Sequence, residues 1–430
     1  MKATDPDDRW IPSFLVARFV ELGRAEEVAR RARGGDRNCA QEWARILGGQ
    51  DGPDRRGEAL AVLEPYLAAG RWEAVATASG LLERWRRADE AIALVRPHAE
   101  AGGRDALHHL GRLLLRSGRP EEAHALLLPH LKDWHLAAVL VEAAGVLDRD
   151  EEVAELLAAR IAEPHGCGDP SCTRRTVEPL NAVALLAGVR ERQGRTGEAV
   201  ALLGDSSELA DLLARHDRLD ELREFAAAEY HGFAARRLAA VLEEHGDVAG
   251  AVEVHRSRLE NGRGRPSDAA LPLTELLVRH GRGEEAVTVL RAVPVSPYGP
   301  EAWLVESLCT LYADLGRPED GLAHLDGVRR CDGLDDRGHF RLRARMLAAC
   351  GRREQAIEEA RARDLPAEDR WFLGELLSEA GRGEEALAAV APAADLDPDT
   401  VAWHLLALGR VDEALALYPW RGDGTAAGGT

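Results

Sequence analysis

Three observations predict an all-α protein. A short phrase recurs about thirteen times, apolar residues on either side of it are spaced three and four apart, and no alternating strand pattern is sustained anywhere. The phrase is Gly-Arg, one variable residue, two acidic residues and Ala or Val. Its clearest copies run Gly118–Ala123, Gly281–Ala286, Gly381–Ala386 and Gly409–Ala414. Looser copies lie at Gly23–Val28, Gly70–Val75, Arg86–Ala91, Leu147–Glu152, Gly194–Ala199, Asp217–Leu222, Gly246–Ala251, Gly316–Gly321 and Gly351–Ala356.

Each part of the phrase has a local meaning. The glycine can take the left-handed conformation that ends a helix, and Pro120 or Pro318 sits where the next one begins. The acidic pair then occupies the first turn, facing the positive end of the helix dipole. Leu107, Leu110 and Leu114 before Gly118, and Ala123, Leu126 and Leu127 after it, form the apolar faces of the two helices. The phrase therefore reads helix, tight turn, helix. Gly246, Gly281, Gly316 and Gly351 are 35 residues apart, and the next steps, to Gly381 and Gly409, are 30 and 28, a solenoid period.

The residues at these spacings resemble the tetratricopeptide repeat family. Leu110-Gly111 with Gly118 and Ala123, and Leu373-Gly374 with Gly381 and Ala386, match its Leu-Gly pair, turn glycine and small residue. The resemblance covers residues 13–419 and implies a right-handed α-solenoid of 12–13 helical hairpins. It departs from the family in having mostly Leu or Ala where helix A carries large aromatics, Tyr312 excepted, and in several short units.

The rhythm breaks at residues 163–179, a stretch rich in Pro, Gly and Cys, which is expected to be a loop or insertion between repeats 1–162 and repeats 180–419. The tail, 420–430, has little to bury and is expected to be disordered.

Composition bounds the partners. With 55 Lys plus Arg against 74 Asp plus Glu, the net charge of −19 argues against nucleic acid and anionic membranes. Only Lys2 and Lys132 are lysines, so the basic residues are nearly all arginine, which reads as bacterial high-GC codon usage. The N-terminus lacks a signal-peptide pattern, and no apolar run is long enough to span a bilayer. Six cysteines, irregularly placed, make no disulfide framework and suit the cytoplasm.

Catalytic templates are missing: there is no phosphate loop, no His-Glu-x-x-His and no Gly-x-Ser-x-Gly. His165, Cys167 and Cys172 in the 163–179 stretch are candidate ligands of a structural zinc, with His130, His135 or His216 as a source of the fourth; the competing reading is free thiols in an exposed loop. The family's register places helix-A groove positions at His108, Arg112 and Arg116. Further on it places them at Trp303 and Glu306, Arg341 and Arg345, Trp371, Glu375 and Glu379, and Trp403. Tryptophans there are either interface anchors or packing between repeats, and Arg341 with Arg345 could clamp a carboxylate. The leading expectation is a non-enzymatic scaffold that binds a protein or peptide in its groove. The alternative is a ligand-responsive sensor of a peptide or metabolite that acts through a separate output partner. Oligomeric state is not readable from these residues.

Overall fold

The computed structural model describes residues 10–49, 52–163, 174–262, 264–295, 299–328, 333–363, 370–393 and 397–418. Among them the chain is all α, with 26 α-helices, the number that thirteen hairpins require.

The chain divides into two compact units. The first runs to Leu202 and resumes at Gly409. It contains α1 (Ser13–Glu21), α2 (Ala25–Gly34), α3 (Arg37–Gly48), α4 (Pro53–Ala68), α5 (Trp72–Arg84) and α6 (Ala88–Glu100). It continues with α7 (Arg104–Arg116), α8 (Pro120–Leu127), α9 (Trp134–Val146), α10 (Asp150–Ala162), α11 (Arg174–Arg192) and α12 (Thr196–Leu203). The second unit spans Leu203–Leu408. It contains α13 (Ser207–Arg215), α14 (Leu219–Ala228), α15 (Phe233–Glu244), α16 (Val248–Glu260), α17 (Pro266–Arg279), α18 (Gly283–Ala292) and α19 (Ala302–Asp314). Then follow α20 (Pro318–Gly327), α21 (Asp336–Ala349), α22 (Arg353–Arg361), α23 (Arg370–Glu379), α24 (Gly383–Val390) and α25 (Pro398–Ala407), while α26 (Val411–Ala416) returns to the first unit.

This division falls elsewhere than the interruption in the repeat phrase. The sequence put its break at 163–179, yet α11 already begins at Arg174 and its arginines reach back to α10, with Arg190 bonded to Glu151 at 2.8 Å and Arg192 to Asp150 at 2.6 Å. The repeats therefore pack on across the interruption, and the compact bodies separate later, at Leu202/Leu203.

The turns follow from the phrase. All thirteen phrase-turn residues have positive φ: ten are glycine, and Arg86, Asp148 and Asp217 adopt the same conformation at 61°, 56° and 53°. At the α7–α8 turn, Gly118 N–H donates to the Leu115 carbonyl (3.1 Å) and Arg119 N–H to that of Leu114 (2.9 Å), the two bonds of a Schellman motif. Asp217 and Arg218 reproduce both bonds without a glycine, at 3.2 and 2.9 Å.

Two positions set how closely the helices cross. Seven residues before the turn, a small or short side chain is buried in repeat after repeat: Ser79, Gly111, Ala210, Cys309, Ala344, Gly374 and Ala402. Five residues after it, Ala91, Ala123, Ala199, Ala286, Ala356, Ala386 and Ala414 are fully buried. The two positions meet within a hairpin, as where Cys309 Sγ donates to the Gly321 carbonyl at 3.5 Å. A Cβ on Gly111 would lie 2.8 Å from Leu127 Cδ1, and one on Gly374 would lie 2.7 Å from Val390 Cγ1. Close approach demands small residues there, which explains the Leu-Gly pair and why helix A otherwise tolerates Leu and Ala. Tyr312, the family-like aromatic, is completely buried.

The phrase arginine has a role of its own. It caps helix B and grips the second acidic residue three positions on, as in Arg87–Glu90 (2.6 Å), Arg218–Glu221 (2.6 Å), Arg317–Asp320 (2.6 Å) and Arg410–Glu413 (2.6 Å). It also reaches the first acidic residue of the preceding phrase: Arg119 to Asp89 (3.2 Å), Arg317 to Glu284 (2.7 Å) and Arg382 to Glu354 (2.7 Å). One guanidinium thus fastens its own turn and the neighbouring repeat, a double task that suits its planar fork better than an ammonium. The near-absence of lysine gains a structural use beyond codon composition. These pairs are exposed, and their worth lies in register more than in stability.

Candidate functional site

The expected groove residues fall on helix A of successive repeats, but they do not share one fate. On α7 the cations are taken up by the flanking helices. Arg116 makes two bonds to Glu83 of α5, at 2.5 and 3.0 Å, and Arg112 pairs with Glu142 of α9. His108 stays exposed, and partial burial with Arg112 and His135 nearby holds its pKa below the usual histidine value. This stretch is an internal ladder of charges.

In the second unit, α19, α21 and α23 share one apolar core that includes Val305, Phe340, Met346, Phe372 and Leu376. Trp371 is half-buried against that core and edge-on to Phe372, at 5.8 Å between centroids. Arg341 of α21 lies over the Trp371 ring, its guanidinium carbon 5.1 Å from the centroid. The cation is therefore bound up with an aromatic face of the next repeat. Arg345, one turn on, is exposed, as are Glu306, Glu375 and Glu379. Trp303 is half-buried, its indole N–H donating to Glu301 at 3.0 Å.

Trp403 is the outlier. It stands on α25 with 56% of its surface exposed, while its neighbour His404 is buried. His404 accepts or donates through Nδ1 to Ser378 Oγ of α23 at 3.1 Å, which fixes α25 against α23. Burial lowers the His404 pKa, so the ring is neutral near pH 7. The face thus carries a stacked Arg341–Trp371 pair, a free-standing indole, and charges of both signs.

His165, Cys167 and Cys172 lie outside the described residues. Among those described, no group of three or more His, Cys, Asp or Glu is placed to hold a metal. Of the described thiols, Cys39 and Cys309 are buried, and burial pushes both pKa values up, that of Cys309 to about 12, so neither is poised to react.

One feature of the second unit escaped the sequence reading. Arg258 of α16 and Glu229, just after α14, form a buried ion pair at 3.3 Å, with side-chain exposures of 4% and 2%. Arg258 also donates to the backbone carbonyls of Glu229, at 3.0 Å, and of Tyr230. The signal was present: Glu229 lies twelve residues after the turn residue Asp217, and Arg258 twelve after Gly246, so opposite charges occupy one repeat position in consecutive repeats.

No family model matches the chain, and no curated protein does. Among solved structures, the chain is similar to one described as Naa15/Naa10 bound to HypK-THB, with 16% identity and a TM-score of 0.42, covering 96% of this chain and 68% of that one. It is also similar to the pentatricopeptide repeat protein PPR10 from maize, with 15% identity and a TM-score of 0.35, covering 94% of this chain and 66% of that one. The protein is an all-α, tetratricopeptide-like helical-repeat protein. The expectation that nucleic acid is excluded as a partner does not stand. A net charge summed over the whole chain does not fix the local potential of one face. Among the described residues, no helix is long and apolar enough to cross a membrane.

Proposed function

We propose that the protein is a non-enzymatic interaction scaffold that holds a protein or peptide partner on the helix-A face of α19 to α25. The observation that supports this most is Trp403, a large aromatic left 56% exposed on a helix whose other faces are packed. Interface anchors are typically such residues, aromatic or arginine, set among polar neighbours. Arg345 and Glu375, exposed at the same repeat position on α21 and α23, supply charges of both signs, and Arg341 stacks on Trp371 between those two helices.

The test is selection of peptides from a random display library on the purified chain, followed by titration of the selected peptide against Trp403→Ser and Arg345→Glu proteins. At least tenfold weaker binding by both, with unchanged helicity, is the expected result, in line with the loss of an anchor. Undiminished binding by both variants would overturn the proposed face.

A second reading, a regulator that responds to a small ligand and acts through a separate partner, has one observation in its favour. The second unit contains a cavity of about 530 Å³ between α14, α15 and α16, within the size range of small-molecule sites.

A further inference from the structure

We infer that this cavity binds the carboxylate of a small aliphatic acid. The proposal names the ligand class for the second reading and does not depend on the Trp403 face. Ala235, Leu238 and Val254 make its apolar wall, and Arg223, Arg258 and Asn261 its polar side. Two arginines line it and no carboxylate does, and since each arginine has a carboxylate partner outside the lining, the cavity offers N–H donors to an acceptor rather than a net charge.

Arg258 is held ready by its neighbours. Glu229 and the carbonyls at the end of α14 fix the guanidinium, and Glu229 is itself held by the Gly232 N–H at 2.8 Å. The Arg258 Nε–H is buried with no partner, as Glu229 Oε1 is, so the pair retains an unmet donor and an unmet acceptor beside the cavity. Arg223, on the rim, is paired with Asp220 at 2.8 Å in a surface contact with both side chains largely exposed. Such a pair exchanges partners at little cost. Asn261 adds an exposed amide that can donate or accept.

The acceptor that fits these groups is small, planar and singly charged. Much of the lining is alanine and aliphatic, and it includes no aromatic ring on which a base or sugar could stack. A phosphate would bring more charge than the available donors meet. A carboxylate on a short branched chain satisfies both halves of the cavity. Two sources share that chemistry, a free acid and the C-terminus of a peptide ending in leucine.

The experiment uses the full chain and isothermal titration with 4-methylpentanoate, 4-methylpentanamide, and a pentapeptide ending in leucine with a free or an amidated C-terminus. The expected result is that at least one carboxylate binds and its amide binds about tenfold or more weakly, as the loss of a charge-assisted bond implies. Binding by the free acid alone points to a metabolite, and binding by the peptide alone to a chain terminus. Arg223→Ala should weaken binding by about tenfold. Ala227→Trp, which fills the cavity from an exposed position, should abolish it with the melting temperature unchanged. Equal binding of acid and amide, saturating concentrations of both carboxylates without heat, or wild-type binding by Ala227→Trp would each overturn the proposal. If the acid binds but hydrogen exchange outside α14 to α16 does not change, the site stands and the sensor reading falls.

Discussion

Arg31 of α2 donates to the carbonyl of Tyr418 at 2.8 Å and to that of Leu415 at 3.3 Å. Arg31 is buried and Tyr418 fully so, and Glu27 holds the same guanidinium at 2.8 Å. A second, exposed pair, Arg24–Asp412 at 2.9 Å, lies beside them. Arg31 of the first hairpin thereby fastens the backbone at the end of the last helix.

Loss of this clasp should loosen α26 before anything else. Arg31→Ala strands two carbonyls and a partly buried carboxylate, and should cost about 2–4 kcal/mol. Hydrogen exchange of residues 411–418 should accelerate far more than that of α5 to α10. Exchange in 411–418 equal to wild type would show that the clasp does not hold the segment.

The three turns that lack glycine hold strain that glycine would relieve. Arg86→Gly should stabilise the protein by about 1 kcal/mol, and Asp148→Gly and Asp217→Gly by less, because aspartate tolerates the left-handed region better. The converse, Gly281→Ala, where φ is 71°, should destabilise by about 1 kcal/mol. Chemical denaturation of the single and triple variants would check both signs, and the sites are far enough apart in the repeat array to add.

Gly374 tests the small-residue crossing. A methyl there meets Val390 Cγ1 at 2.7 Å and His404 Nε2 at 3.0 Å, so Gly374→Ala should cost about 1–3 kcal/mol even though alanine is the better helix former. Gly80, on a helix but with nothing near its missing Cβ, is the control, and Gly80→Ala should be neutral or stabilising. A stability for Gly374→Ala equal to that of wild type would show that the crossing is looser than described.

His255 gives stability a dependence on pH. Burial, with Arg236, Arg258 and Arg279 nearby, lowers its pKa to about 4. The unfolded chain, near pKa 6.5, binds the proton more readily than the folded one. Stability is therefore complete above pH 6.5 and falls as pH drops toward 4, by about 3 kcal/mol from this group. His255→Gln should flatten that part of the curve. An unchanged slope between pH 6.5 and 4 would mean that another group carries it.

Much of the fold could be read from the sequence because the same physics repeats. A left-handed turn needs glycine or a tolerant polar residue, and the helix start favours acids, so nearly every hairpin writes the same phrase, the α3–α4 junction excepted. The charge partners were less legible. That Arg317 reaches Glu284 and Arg382 reaches Glu354 depends on the stacking offset between repeats, which sequence spacing does not state. The groove register named Trp371, Arg341 and Trp403, but not that Arg341 would cover Trp371 while Trp403 stayed bare. The buried Arg258–Glu229 pair looked in sequence like two more surface charges among 129 charged residues, 55 basic and 74 acidic.

The split composition of the first unit has a consequence in time. Residues 409–418 leave the ribosome only after all of 203–408 has been made, yet they pack on helices synthesised at the outset. The second unit has its whole sequence in hand before the first one does. During that interval Arg31 lacks the carbonyls it bonds in the finished protein, and the body begun first is the one completed last.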